Sequence, residues 1–482
     1  MIRTTILAAA TLLLTTPATA QSTSQSELDA RYDRALAAGY KALFLCSAIA
    51  NAERNGATRT PESVMEWELT GIQAPLDEIV GELVHWPYRD RNGEIYAVAV
   101  EWTNDMAPRI ALHQSDRGCS IQPIGYDPAF LAMEEEPNGE FGNQTTIAPS
   151  HPEQDQLEPT LHFTLQGDAS PLREQQANDP VSTVLRNARS DTYGVDSRST
   201  VLLVAKANRE WGYAASGWDF DTPQRTWSVA KSIAATLVGA AVHRGEVAVT
   251  DSAGLGESED DPRTQITIDE ALRMATGRYS DTPGNRTDPL YFGGATVDEV
   301  AVDWPLIHEP GTVFRYANND TLAAVQAIEH TFAAHPPSEL FASLNMSATV
   351  AETDWQGNYI LSSQVWSTAR DLARLGQLYL DDGVLPDGTR ILPEGWVEYV
   401  STPSGPQPGN TAWGYGAGWW IMGGNIDGIP GDAFAARGNR GQYIVVIPSR
   451  DVVIVRRGED PAGGSGFDIV AFTRDVLAAL EQ

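Results

Sequence analysis

What most constrains the fold is where the strand-like runs fall. "STVLLVAKANREWGYAASG" reads as a hairpin over 199–217, and "AWGYGAGWWIMGG", "AFAARG", "QYIVVIP" and "DVVIVRRG" read as strands over 412–458. Between these two groups lie helical patterns, including "SVAKSIAATLVGAAVHRG", a long apolar helix ended by Gly245, and "WSTARDLARLGQLYLDDG". One more helix, "DPVSTVLRNARSD", precedes the hairpin, and "FDIVAFTRDVLAALEQ" closes the chain. Helices inserted between early and late strands predict an antiparallel sheet completed from both ends, an α+β architecture.

Upstream the pattern differs. Residues 1–20 show an early charge at Arg3, an apolar run to Leu14 and Ala18-Thr19-Ala20 before the break, which reads as a bacterial-type signal peptide. A buried N-terminal helix is the alternative. The leader's apolar run is short, and no later run looks close to the ~18–20 apolar residues of a membrane helix. No lipid-anchoring cysteine follows the cleavage pattern, so the mature protein is expected in the periplasm or secreted, without a membrane anchor. The remaining length exceeds one ordinary core and predicts two domains. These are a small α+β domain over 21–136 and a larger one over 172–482, joined by a polar linker at 137–171. In the first, "SELDARYDRALAAGYKALFLCSAIANAER" is a helix, and "EIYAVAVEW" and "RIALHQS" are strands about a turn. An even pair of cysteines in an exported chain predicts one disulfide, Cys46 to Cys119, with two buried free thiols as the alternative. Asn143 in "NQT" fits a glycosylation sequon, a short match in a chain with a bacterial-type leader.

The formal net charge of -31 argues against nucleic acid or an anionic membrane as partner. Neither the eight histidines nor the cysteines show metal-ligand spacing, so no catalytic metal and no cofactor are expected.

Of the 33 basic residues only three are lysines, Lys41, Lys206 and Lys231; the rest are arginine. Arginine keeps its proton in proteins, whereas a buried lysine gives it up. Lys231 stands three residues after Ser228 at the start of the apolar helix, which puts amine and hydroxyl on one face. Such a pair suits nucleophilic catalysis; an ordinary helix-start serine beside a solvated lysine is the alternative. Farther on, "EPGTVFRYANNDTLAAVQAIEH" sets Tyr316 and Asn318 just before another helix. A phenol near an ammonium is suited to act as a phenolate-like base and then return the proton, and an amide to orient the lysine. Alone, that pair is more simply a cap and a packing residue.

With "SVAK" and "YAN" in this order, and with "MATGRYSD", "RILPEGW" and "YGAGWW" around them, the chain resembles the serine β-lactamase and penicillin-binding-protein superfamily. It is most similar to the class C β-lactamase-like hydrolases, which include esterases, D-amino-acid peptidases and 6-aminohexanoate-oligomer hydrolases. The likeness runs from about Asp179 to Gln482, and "GYKALFLCSAIANAER" resembles the extra domain of some exported members. It implies a β-lactamase-like α/β/α fold, with a central antiparallel sheet and an all-helical insertion. It also implies Ser228 as acylated nucleophile, Lys231 as its base, Tyr316 as acid/base and Asn318 completing the second motif. The third family motif maps onto Ala436, Arg437 and Gly438, which makes the Ser228 and Asn439 N–H groups the expected oxyanion hole.

Ala436 stands where the family's lysine grips a penicillin carboxylate, so Arg437 or Arg440 must supply any such charge. Gly438 would admit substrate backbone close to the strand. These departures favour a small ester or amide, or a short peptide, as substrate. D-peptidase, penicillin-binding or weak β-lactamase activity is the alternative, and a non-catalytic sensor of peptidoglycan or peptides the non-enzymatic one. Trp413, Trp419 and Trp420 are expected mainly in the core, and Tyr279 at the cleft border. Oligomeric state is not readable.

Overall fold

Ser24 opens the first helix with a reciprocal cap: its hydroxyl accepts the Glu27 N–H while Glu27 accepts the Ser24 N–H at 2.7 Å. In this computed structural model, residues 23–127, 179–207, 209–279, 287–409 and 411–482 are described. The expected signal peptide, the 137–171 linker and Asn143 lie outside the described residues. The first helix, α1 (Gln25–Arg54), is followed by α2 (Pro61–Trp67) and α3 (Leu76–Val80). By length and composition α1 is long and apolar enough to cross a membrane, a correction to the sequence reading; its 18-residue apolar stretch, 35–52, is buried inside the protein, while its first turns are exposed.

Strands β1 (His85–Arg89), β2 (Ile95–Val100), β3 (Arg109–Gln114) and β4 (Gly118–Ile121) form an antiparallel sheet in that order. The sequence marks β2 and β3; β1, with its proline and exposed Trp86, is the edge strand that patterning misses. Cys46 of α1 and Cys119 of β4 form a disulfide with Cα atoms 6.1 Å apart, so the free-thiol alternative is excluded.

The rest is built around a seven-stranded sheet. Asp179 caps α4 (Pro180–Asn187), which leads into the hairpin of β5 (Ser199–Lys206) and β6 (Arg209–Ala214). After the short β7 (Gln224–Arg225) come α5 (Ala230–His243), α6 (Ile268–Leu272), α7 (Asn318–Ile328) and α8 (Pro337–Ser343). The two-residue β8 (Val350–Ala351) and β9 (Val365–Ser367) pair with β7, and α9 (Ala369–Leu380) and α10 (Trp396–Ser401) follow. Last come β10 (Gly414–Tyr415), β11 (Trp420–Ile421), β12 (Phe434–Gly438), β13 (Gln442–Ile447), β14 (Val452–Gly458) and α11 (Ile469–Leu480).

The sheet order is β10-β11-β12-β13-β14-β5-β6, with Val453 of β14 opposite Ala205 of β5. The sheet is thus completed from both ends of the segment, as its patterning predicts. Alternate residues face opposite layers: Leu203, Ile444 and Val453 pack with α5 and α9, while Leu202, Val445 and Ile454 pack with α4 and α11. A one-residue register slip would exchange both faces. Helix α5 is buried from Ala230 to Ala241, which is why it is apolar all round. A third core joins α1, β2 and β4 to Trp227, Tyr291, Phe292, Leu322 and Trp366. The N-terminal segment therefore packs directly behind the start of α5.

Candidate active site

The turn before α5 is unusual. Trp227 has φ +50°, a left-handed conformation that costs a bulky residue energy and persists only when its surroundings enforce it. Here its ring is buried, packed by Phe44 of α1 at 5.9 Å and by the Arg225 guanidinium at 4.1 Å. Ser228 follows in the same single 3₁₀ turn, its side chain in a cleft of about 500 Å³.

One helical turn on, Lys231 is only 1 % exposed. Its Nζ donates to Asn318 Oδ1 at 2.6 Å, the Ser362 carbonyl at 2.8 Å and Ser228 Oγ at 3.1 Å. Burial pushes the amine down from 10.5 to about 7. Asn318 heads α7, and its Nδ2 donates to Thr287 Oγ1 at 3.0 Å, which sets the amide with its oxygen toward the lysine. Ser362 is itself held by its Oγ, 2.8 Å from the Tyr291 hydroxyl.

Tyr316 lies in the same cleft, its ring centroid 5.1 Å from Lys231 Nζ and 5.4 Å from the Trp420 ring. Burial pushes its phenol above the ordinary 10, against a weaker pull downward from the Ser228 hydroxyl. Burial thus favours the protonated phenol at rest.

Arg437, Gly438 and Asn439 also line the cleft. Arg437 stacks over Trp413 at 4.5 Å and Trp420 at 5.0 Å. Arg440 turns away into the interior, so only Arg437 of the two candidates presents charge to the cleft. A Cβ on Gly438 would lie 2.4 Å from the Thr226 carbonyl oxygen. The need for glycine thus arises inside the protein, where β12 presses against the turn that carries Ser228.

Of the three tryptophans, Trp419 is fully buried against Tyr379 and Phe434, Trp413 is buried under Arg437, and Trp420 lines the cleft. Tyr279 is exposed, packs on Trp304 at 5.6 Å and is not among the residues lining this cleft. Sequence reasoning misses Gln73, Thr287, Ser362 and Ser363. Ser362 acts through a main-chain carbonyl, which carries no residue signature, and Gln73 comes from a segment where nothing looks chemical.

A three-layer fold with serine, lysine, tyrosine and asparagine meeting at the head of one buried helix defines a class of hydrolase. The Beta-lactamase family model matches residues 192–456, and the chain belongs to that family. It is 30% identical over 287 residues to the 6-aminohexanoate-dimer hydrolase of Paenarthrobacter ureafaciens, covering 52% of this chain and 69% of that protein. A shorter likeness, 34% over 94 residues, is to penicillin-binding protein 4 of Amycolatopsis lactamdurans, covering 19% of this chain and 24% of that one. Among solved structures, a candidate 6-aminohexanoate-dimer hydrolase from Bacillus anthracis superposes with a TM-score of 0.51 at 17% identity. That superposition covers 65% of this chain and 82% of the other, and shows the shared fold.

Proposed function

We propose that this family hydrolase cleaves a carboxylic ester or amide through an acyl-enzyme on Ser228. The observation that carries the reading is the set of Lys231 partners. Two of them, Asn318 Oδ1 and the Ser362 carbonyl, only accept, so the neutral amine spends both N–H groups there. Its lone pair is left for the third partner, the Ser228 hydroxyl. Burial makes that neutral amine available near pH 7.

The steps follow. Lys231 takes the Ser228 proton as Oγ bonds to the substrate carbonyl carbon, and the oxyanion meets the Ser228 and Asn439 N–H groups. Collapse breaks the bond to the leaving group, which leaves with the Tyr316 proton while Tyr316 is reprotonated from the Lys231 ammonium. Water then attacks the acyl carbonyl, gives its proton back along the same groups, and frees the acid and Ser228.

The relative named for the 6-aminohexanoate dimer makes amides reasonable substrates, and Ala436 in the third motif makes β-lactams poor ones. Export by the 1–20 leader and the division into 21–136 and 172–482 belong to the same reading. The disulfide supports the first and the separate sheets support the second. A rapid p-nitrophenol burst with p-nitrophenyl butyrate, with the acyl mass on the Ser228 peptide, is expected, and Ser228→Ala abolishes both. Equal bursts in the two proteins refute the nucleophile; stable labelling by fluorescent penicillin would favour the penicillin-binding alternative.

A further inference from the structure

Arg440 is the unexpected residue of the third motif's turn. It has φ +56° and is buried, and its side chain runs away from the cleft that Arg437 enters. Its guanidinium donates almost entirely to main chain. On one side Nη1 reaches the Glu68 carbonyl and Nη2 the carbonyls of Trp67, at 3.2 Å, and Thr70. On the other, Nε reaches the Asp460 carbonyl at 3.2 Å and Nη2 the Glu459 carbonyl at 3.3 Å. The Glu459 carboxylate, itself buried, supplies the countercharge at 3.1 Å.

These carbonyls belong to the C-terminal end of α2 with the residues after it and to the irregular chain after β14, and both run on to the cleft. Residues 67–70 continue through Gly71, whose carbonyl accepts the Ala462 N–H at 2.8 Å, to Gln73 in the cleft wall. Residues 459–460 continue to Ala462 and Gly463, also in the wall. The turn itself begins with Asn439 and ends with Gly441, which has φ +80° and no room for a Cβ beside Arg456. Neither segment pairs as a strand with the turn. Residues 459–460 have further ties to it, since the Asp460 N–H donates to the Arg440 carbonyl at 3.2 Å and Arg456 joins the Gly441 carbonyl to the Asp460 carboxylate. The 67–70 segment is held to the turn by the planar fork of Arg440 N–H donors.

We infer that Arg440 is a positioning residue, which fixes Asn439 and the Gln73 wall relative to Ser228 and so makes the N-terminal segment part of the catalytic unit. The inference rests on the reading of Asn439 as an oxyanion donor. Lysine cannot replace the arginine, because a single ammonium has three N–H donors for five carbonyls. Because a misplaced donor acts on the transition state, the loss falls on kcat rather than KM.

The test compares wild type, Arg440→Ala, Arg440→Lys and the Cys46→Ala/Cys119→Ala pair, with p-nitrophenyl butyrate and urea unfolding on each. Expected for Arg440→Ala is a kcat reduced ~100-fold with KM within about threefold, partly restored by millimolar methylguanidinium filling the vacated site. The cysteine pair removes the α1–β4 disulfide, which does not line the cleft, and serves as the stability control: it is expected to lower urea stability, with methylguanidinium having no effect on its kcat. Wild-type kcat in folded Arg440→Ala, or a loss without rescue that tracks unfolding, overturns the inference. If the alanine variant does not fold, Arg440→Lys, which keeps the charge opposite Glu459, decides: reduced kcat in a folded protein supports it and unchanged kcat overturns it. Wild type that is never acylated at Ser228 removes the underlying reading, and this inference with it.

Discussion

Replacing Lys231 by methionine keeps the buried stem and removes only the amine, which makes its charge balance measurable. Burial lowers that amine from 10.5 to about 7, so between those values the unfolded chain holds a proton the folded chain lacks. Stability must therefore rise with pH across this window. Below about 7 both states are protonated and the cost of burial is fully felt; above 10.5 both are neutral and it vanishes. At ~1.4 kcal/mol per tenfold change, the whole cost is ~5 kcal/mol, and roughly 2.5 kcal/mol of it is relieved between pH 6 and 9. Against this, the variant orphans the Asn318 Oδ1 and Ser362 acceptors, at ~1–3 kcal/mol each and independent of pH. Lys231→Met should thus match wild type in stability near pH 6 and fall clearly below it at pH 9. Urea unfolding of both proteins reads this. Subtracting one from the other removes groups shared by both, such as Glu210 and Glu352, which burial raises to about 7. The variant should be inactive, and wild-type kcat/KM should climb with pH through about 7. A stability gap that stays constant from pH 6 to 9 refutes the suppressed amine.

Tyr316→Phe should lower kcat by ~100- to 10,000-fold while leaving the unfolding midpoint near wild type. Because burial keeps the phenol protonated, the wild-type profile should show no limb from this group below its ordinary 10; an activity rise there that the variant lacks would show that the phenolate forms at lower pH and is the active form. Removing the disulfide, which closes a separation of 73 residues, should cost ~4 kcal/mol in urea unfolding, and an unchanged midpoint would contradict this. Arg437→Gln should raise KM about tenfold for esters bearing a carboxylate and leave neutral esters unaffected; equal effects on both would remove Arg437 as a charge contact.

The larger fold was legible because its alternating strands and buried helix each impose a period on side-chain polarity, as in "QYIVVIP" and "SIAATLVGAA". The four catalytic candidates were legible because their chemistry needs particular side chains at particular spacings. What escaped lacks such a signature. The Ser362 carbonyl is main chain, and Arg440 and Arg437 are the same residue type three apart, sent in opposite directions by a left-handed turn that no local rule announces. Gly438 was picked out, yet its reason lay in the Thr226 carbonyl, a contact across more than two hundred residues.

Two buried cations stand within one short stretch, and their difference explains the lysine. Arg225 is enclosed by the faces of Phe44, Trp227, Tyr291 and Phe292 at 4.1–5.5 Å, and donates one N–H group to Ser363 at 2.9 Å. Aromatic faces stabilise a charge without needing its proton, and a guanidinium, more weakly hydrated than an ammonium, tolerates such a box. It can hold the Trp227 turn but cannot act as a base. Position 231 instead offers two fixed acceptors and one hydroxyl, a set that satisfies a neutral amine as well as an ammonium. A guanidinium there would keep its charge and its donors and leave no lone pair for Ser228. In a chain whose basic residues, Lys41 and Lys206 aside, are otherwise arginine, a lysine at this position fits the proposed role, in which the charge has to be surrendered.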